Sequence, residues 1–411
     1  MTNIYRRSAN HHLMRDINRA LILNHLRLAA PQSRAELAER TGLTRSTVSS
    51  LVDELIADNL VHETGIAPSR GGRRGTLLAL NPAGGCAIGV AITSDAITVL
   101  LTDFVAHPRW QRQMTLEDTD PTQVMGQVEA LIDEALAYNA AHEGIPLLGI
   151  GLATPGLVRV RDGTLRTATN LGWRDIPFQA RWEARYGVPV RVGNEASIAA
   201  LGEHYFGAGA GFHDFVYLEL STRAIGAGIF VDGRLYQGVD GYAGEVGHMV
   251  IDPAGAMCSC GRRGCWEAVL RQVADLTPLR EALAAGTPSS LGDPARLTRA
   301  AVLTAAAAGD ALARDYVQRV LDVLVTGLAN LVNVFNPQRV VLGGSLGLSL
   351  GPFLPTMQSA LTAQVTLPAE SVPDLVLAQI ATNPSALGAV ALVLDEIMSE
   401  PVPVVSRQSW P

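Results

Sequence analysis

Lysine is absent from this chain: all 32 basic residues are arginine. That absence excludes a phosphate-loop lysine, a Schiff base and any other lysine-based chemistry. Charge is sparse, at 17% of residues against 48% hydrophobic, which excludes a disordered chain and leaves ample material for a core. No apolar run approaches the roughly 18 residues of a membrane span. No apolar segment follows Arg6 and Arg7, as a secretory leader would require. The expectation is a cytoplasmic protein without membrane contact. Cysteine is scarce too: Cys86, Cys258, Cys260 and Cys265, the last three within eight residues. In a cytoplasmic protein such clustering favours a metal over disulfides.

What is present is unevenly spread. The 411 residues exceed one compact core and suggest two to four domains. Residues 1–80 hold 11 Arg against seven Asp and Glu, or +4; the whole chain is −7, which leaves −11 for the remainder. A small basic head on an acidic body suits nucleic-acid contact by the head alone.

The head reads as three helices. Ile17, Leu21, Ile22 and Leu28 recur at near-helical spacing over Asp16 to Ala29, and Pro31 stops that helix. Ser33 and Glu36 form a capping box for a short second helix ending near Arg40. Gly42 turns the chain and Thr44 caps a third helix, whose apolar stripe is Val48, Leu51, Val52, Leu55 and Ile56. Its opposite face carries Arg45, Ser46, Thr47, Ser49 and Ser50. The pattern is a helix-turn-helix with these five residues as the DNA-reading set; a helical hairpin for protein contacts is the alternative. His62 to Gly75 is glycine-rich and basic and precedes a strand over Thr76 to Leu80. It reads as a wing whose Arg70, Arg73 and Arg74 reach DNA, or otherwise as a basic linker.

Asn81-Pro82-Ala83-Gly84-Gly85 has linker composition and marks the boundary of the head, residues 1–81. Beyond it the pattern is α/β. Strands over Cys86–Ile92 and Ile97–Phe104 form a hairpin, echoed by Phe215–Leu220 and Ile225–Val231. The echo predicts a duplicated, two-lobed α/β body of the actin-like, or ribonuclease-H-like, plan. The first lobe is expected over residues 82–192, with a C-terminal helix at 384–400 returning to it. The second lobe spans 193–383, with the cysteine loop and long Ala-rich helices for dimerisation.

His248, Cys258, Cys260 and Cys265 form a His-x9-Cys-x-Cys-x4-Cys set. Three thiolates and an imidazole are the ligands a tetrahedral structural zinc takes; a loop of free thiols is the alternative. Four protein ligands leave no open position, so such an ion would hold the loop and activate no water. Glu245 and Glu267 flank the set, and carboxylates on an ordered loop are good acceptors for sugar hydroxyls. Each alone is more ordinarily a solvated surface group.

With its winged head, Gly241 to His248, Cys258-Ser-Cys-Gly-Arg-Arg-Gly-Cys265-Trp-Glu267 and Gly193-Asn-Glu-Ala-Ser, the chain resembles the ROK family of repressors, open reading frames and kinases. The resemblance implies a sugar-kinase fold in which Asn194, Glu195, Glu245, His248 and Glu267 face a sugar, with His248 also bound to zinc. It implies as partners a palindromic operator DNA, a small sugar effector and further copies of the chain, as a dimer or tetramer. The family's kinases resemble one another in an Asp-x-Gly-Gly-Thr turn in the first hairpin, a Gly-Thr-Gly second phosphate loop, and an Asp base after the sugar-binding Asn. Here Ala91 stands for the first Asp, Thr222-Arg223-Ala224 for the second loop, and Glu195 for the base. An extra methylene at Glu195 displaces the carboxylate by about 1 Å, and misplacement of that order lowers rates on the order of 100-fold. The expectation is therefore a regulator with no catalytic residues, probing sugar in a degenerate kinase-like domain. The alternative is an active ATP-dependent hexose kinase with an appended head.

Overall fold

In the head, local capping decides where the second and third helices begin. The computed structural model describes residues 11–66, 75–222, 224–380 and 382–399. Helix α1 (His11–Ala29) is followed by a two-residue strand β1 (Gln32–Ser33). The Ser33 hydroxyl accepts from the Glu36 amide and Glu36 reaches back to the Ser33 amide, which starts α2 (Arg34–Thr41). Gly42, at φ 70°, ends it, and Thr44 caps α3 (Arg45–Ala57). Val48, Leu51, Val52 and Leu55 are buried, so the apolar stripe of α3 faces the head's core. Strands β2 (Val61–Ile66) and β3 (Thr76–Leu80) complete a winged sheet in the order β1-β3-β2. Buried Arg19 ties α1 to α3 through Glu54 at 3.3 Å and Asp58.

Two compact units follow from the packing. The first takes the chain to Ala153, Pro177–Val192 and Ala389 onward; the second takes Thr154–Ile176 and Gly193–Gly388. The head groups with the first unit. Residues 154–176, expected in the first lobe, group with the second unit.

The first unit's sheet runs β11-β7-β4-β5-β6. Its strands are β4 (Cys86–Ile92), β5 (Ala96–Asp103), β6 (Pro108–Thr115), β7 (Leu147–Thr154) and, further along, β11 (Val190–Asn194), with α4 (Pro121–His142) crossing between β6 and β7. Strands β8 (Leu157–Arg159), β9 (Thr164–Ala168) and β10 (Trp173–Pro177) form a small separate sheet, and α5 (Phe178–Tyr186) leads into β11.

The second unit repeats the plan. After α6 (Glu195–Phe206), strands β12 (Phe215–Leu220), β13 (Ile225–Val231) and β14 (Arg234–Leu235) form an antiparallel set. Helices α7 (Trp266–Val273), α8 (Thr277–Ala284), α9 (Arg299–Ala307) and α10 (Ala311–Phe335) lead to β15 (Arg339–Gly343). Short α11 (Gly344–Ser349), α12 (Leu354–Gln364), β16 (Asp374–Leu377) and α13 (Pro384–Ser399) close the described chain. The sheet order is β14-β13-β12-β15-β16. Numbered within each unit, both sheets read 3-2-1-4-5, with a central strand antiparallel to the second and parallel to the fourth. The hairpin echo in the sequence is this duplication.

Helix α10 is the one described helix long and apolar enough, by length and composition, to cross a membrane. Its apolar positions are interrupted by polar ones, so no continuous run announces it. Val320, Leu324 and Leu328 lie in the second unit's core, and the Trp266 indole donates to the Val323 carbonyl at 2.9 Å.

Candidate metal centre and nucleic-acid interface

The loop after β14 is built by pairing too short to count as a sheet. Isolated bridges join Val250 to Cys265 and Met257 to Arg263, and the Trp266 amide donates to Met249 at 2.8 Å. Gly264, at φ 72°, is required there: a side chain would lie 1.6 Å from the Asp252 carbonyl oxygen. The result brings His248, Cys258, Cys260 and Cys265 together, with one ligating atom from each mutually within 4.8 Å. This cluster is able to hold a metal ion. His248 Nδ1 is 3.6 Å from the Cys258 sulfur, and the Cys260 and Cys265 sulfurs are 3.6 Å apart. Cys258 and Cys265 are buried and Cys260 is exposed. Burial, reinforced by Glu267, pushes the Cys258 thiol up to about 12. At Cys260 burial is outweighed by the Arg262 amide and guanidinium, which bring the thiol down to about 6.

The imidazole of His248 has two faces. Its Nδ1 looks toward the thiols and lies 3.5 Å from Glu267 Oε1, while its Nε2 lies 3.8 Å from Glu245 Oε2. Glu267, on the first turn of α7, is buried and accepts from the Cys258 thiol at 3.1 Å. Two carboxylates expected to face a ligand thus meet the cysteine loop at one histidine.

Asn194 and Glu195 reach the same unit from another element. Asn194 caps α6, its side-chain oxygen accepting from Ala196 and Ser197, while its amide donates to the Gly156 carbonyl at 3.0 Å. Much of its bonding capacity is therefore engaged within the protein. The Gly244 carbonyl accepts from the Ala227 amide of β13 at 3.2 Å, and a side chain at Gly244 would come within 4.0 Å of the Ser197 hydroxyl. The start of α6 and the Glu245 turn are neighbours for this reason. A cavity of about 540 Å³ opens at the Glu245 turn, walled by Tyr236, Val239, Glu245, Met249, Val334 and Phe335. Asn194, Glu195, His248 and Glu267 are not among its walls, so the polar set and this apolar cavity share only Glu245.

In the head, the five expected DNA-reading residues separate. The hydroxyls of Ser46 and Thr47 each sit 2.9 Å from the Thr44 hydroxyl, and Ser50 donates to Glu54 at 3.4 Å. Ser49 is half-buried. Arg45 is exposed and, among the described residues, has no ion-pair partner. The expected wing arginines Arg70, Arg73 and Arg74 lie outside the described residues. Sequence reasoning missed Arg40: exposed on the last turn of α2, it also has no ion-pair partner among the described residues. A basic residue just before the turn was the available signal. It missed as well the buried Tyr217, whose hydroxyl donates to Glu219; burial raises both groups above their ordinary ranges.

The ROK family model matches residues 84–396, and the MarR family model matches residues 16–75. The first span is more than half the chain. The chain belongs to the ROK family. It is 33% identical to the xylose repressor of Bacillus subtilis (strain 168) over 95% of this chain and 98% of that protein. Among solved structures it is similar to a ROK family transcriptional regulator described as a homolog of the E. coli MLC protein, with TM-score 0.81, 26% identity and coverage of 94% and 97%. It is also similar to a ROK family glucokinase from Streptomyces griseus, with TM-score 0.57, 31% identity and coverage of 75% and 99%. In this ROK chain Ala91 is buried in β4, paired with Thr98 and Ala153, and the β4–β5 turn closes on itself through Thr93 and Asp95. Ser221 and Ala224 close the second turn by reciprocal bonds at 3.1 and 2.9 Å; Arg223 lies outside the described residues.

Proposed function

We propose that this chain is a sugar-responsive, DNA-binding repressor of carbohydrate uptake or catabolism genes and not a kinase. The observation that carries the reading is the pairing of a winged helix-turn-helix with a ROK body in one chain, alignable over nearly its whole length with a xylose repressor. Arg45 and the wing arginines Arg73 and Arg74, with Ser46, Thr47, Ser49 and Ser50 around them, read operator DNA. Two copies of the chain place two heads on a palindrome. Sugar is held by Glu245, His248 and Glu267 with Asn194 and Glu195. It binds one conformation of the chain better than the other, and that difference is the whole of the coupling to DNA.

The resident metal in this reading is zinc. Tetrahedral zinc with bonds of about 2.3 Å to sulfur and 2.05 Å to nitrogen places sulfurs ~3.8 Å apart and nitrogen ~3.6 Å from sulfur. The separations of 3.6 Å for both pairs fit that geometry. With four protein ligands it would fix His248 so that Nε2 presents to a ligand hydroxyl, and would take no part in chemistry. The methyl group of Ala91 cannot hold a magnesium-phosphate complex, which supports the absence of phosphoryl transfer.

The test combines two measurements on the full chain. Fluorescence anisotropy on the operator fragment selected by the protein, with xylose, glucose and N-acetylglucosamine or its 6-phosphate, should show weaker DNA binding with one of them. A coupled ADP-release assay with the same sugars should show no turnover. Sugar-independent DNA binding overturns the sensing half, and turnover abolished by Glu195→Ala overturns the regulatory reading in favour of a kinase.

A further inference from the structure

The stretch Asn81 to Gly85 has the composition of a linker, yet its structure is that of a fixed joint. Helix α3 ends with Asn59 at φ 62°; the Leu60 amide donates to Leu55 at 2.9 Å and the Asn59 amide to Ile56 at 3.0 Å. This pair of bonds is the left-handed helix ending for which glycine is the preferred residue. Here the position holds asparagine, and its side chain explains the choice. Asn59 Nδ2 donates to the Ala83 carbonyl at 2.9 Å, and Asn81 Nδ2 donates to Asn59 Oδ1 at 2.7 Å and to the Asn59 carbonyl at 3.0 Å. Asn81 Oδ1 in turn accepts from the Ala83 amide at 3.1 Å, and the Asn81 amide donates to Leu60 at 2.9 Å.

The first sheet grips the other side of this segment. The Phe104 amide, in the β5–β6 turn, donates to the Pro82 carbonyl at 3.3 Å. Its ring is fully buried and fills the space beside Gly84, where a side chain would lie 2.9 Å from the Asn59 carbonyl oxygen and 3.4 Å from the ring. That turn is itself held. The buried carboxylate of Asp103 accepts from the Val105 and His107 amides at 3.0 and 2.9 Å and from Arg109 at 2.9 Å. The end of the recognition helix, the segment 81–85 and the β5–β6 turn therefore form one bonded cluster.

We infer that Asn59 and Asn81 are positioning residues that weld the DNA-reading head to the first unit's sheet, so that the recognition helix is aimed by the sheet and does not swing on a tether. The readout on DNA rests on the repressor reading; the rigidity of the joint does not. Asn59→Gly suits the backbone at this φ and removes only the side-chain clamp, so it separates aiming from helix stability. Hydrogen exchange on the full chain tests the joint directly. The amides of Asn81, Ala83 and Phe104 should exchange at least about 100-fold slower than in an unstructured chain, and about tenfold faster in the double variant Asn59→Gly, Asn81→Ala. Wild-type exchange within about tenfold of the unstructured rate overturns the inference. On DNA, a rigid pair of heads tolerates one half-site spacing, whereas tethered heads tolerate several. Moving the half-sites two base pairs apart should weaken wild type at least about tenfold and the double variant less than about threefold. Equal tolerance in the two proteins overturns the aiming role. If no duplex is bound at any spacing, the repressor reading fails while the exchange result still decides the joint.

Discussion

Of the head's arginines, Arg15 and Arg19 pair with Glu54, Arg34 pairs with Asp53 and Glu63, and Arg27 bonds Asn24. Arg40 and Arg45, on either side of the turn between α2 and α3, pair with nothing among the described residues. In the proposed reading they are the cations that the described part of the head offers to DNA, beside the wing arginines. Arg45 stands at the start of the recognition helix, where base edges are reached, so Arg45→Ala should lower operator affinity by about 1–3 kcal/mol and relax preference at one base pair. Arg40 precedes the turn, where a phosphate contact is the natural role. Arg40→Ala should weaken all duplexes alike and reduce the slope of log affinity against log salt by about 1. Anisotropy titrations at several salt concentrations on operator and scrambled duplexes separate the two. The thiols make a second residue-scale case. Burial pushes Cys86 up to about 12, and a thiol so placed is inert at neutral pH. A thiol-reactive dye should find almost nothing on the zinc-loaded native chain, three groups after chelation, and the fourth only in denaturant. Fast reaction of all three loop thiols before chelation would remove the metal from the reading.

At the scale of elements, caps carry much of the definition. Asp310 starts the 25-residue helix α10, its carboxylate accepting from the Ala313 amide at 2.9 Å, the Ser290 amide at 2.6 Å and the Ser289 hydroxyl at 2.9 Å. The Ala313 and Ser290 amides hold its carboxyl down to about 2. A depressed carboxyl stabilises the fold above its unfolded value near 4 and loses that contribution as pH falls toward 2. Asp310→Ala should lower the melting temperature by about 2–4 °C at pH 7, for about 1 kcal/mol of cap. The gap should narrow when scanning calorimetry is repeated between pH 5 and pH 3, and a gap that is constant with pH contradicts the cap's electrostatic origin. Capping is also what made the elements readable. Ser33, Glu36, Gly42 and Thr44 announce α2 and α3 because those bonds are local, and the candidate metal ligands announce themselves because all four lie in one loop. Strand β6 gave no such signal: Arg109, Gln111, Arg112 and Gln113 are exposed at an edge, so no alternation marks it. The joint at Asn81 escaped for the opposite reason. Its composition is that of a loop, and the partner that fixes it, Asn59, lies 22 residues earlier. Ser46 and Thr47 sat on the expected face, but only the structure shows their hydroxyls turned to Thr44.

For the whole molecule the decisive property is linkage. The residues proposed to meet DNA lie in the first unit, and those proposed to meet sugar lie in the second. No ligand atom is shared, so any effect of one on the other is a coupling free energy between distinct sites, and such coupling is reciprocal. If saturating sugar weakens operator binding by a given factor, saturating operator must weaken sugar binding by the same factor. Coupling of about 1–3 kcal/mol, or roughly 5- to 150-fold, is the range to expect. Calorimetric titration of the sugar into the free chain and into the operator complex measures the second factor, and anisotropy with and without sugar measures the first. Equal factors close the thermodynamic cycle and show that sugar and operator bind the same chain at equilibrium. Release of DNA by sugar with an unchanged sugar affinity on the operator complex would break the cycle and exclude equilibrium binding of the sugar to this chain as the cause of release. The clamp at Asn59 adds a further constraint. Loosening it should shrink both factors together while leaving sugar binding to the free chain unchanged, because a head released from its sheet no longer distinguishes the two states.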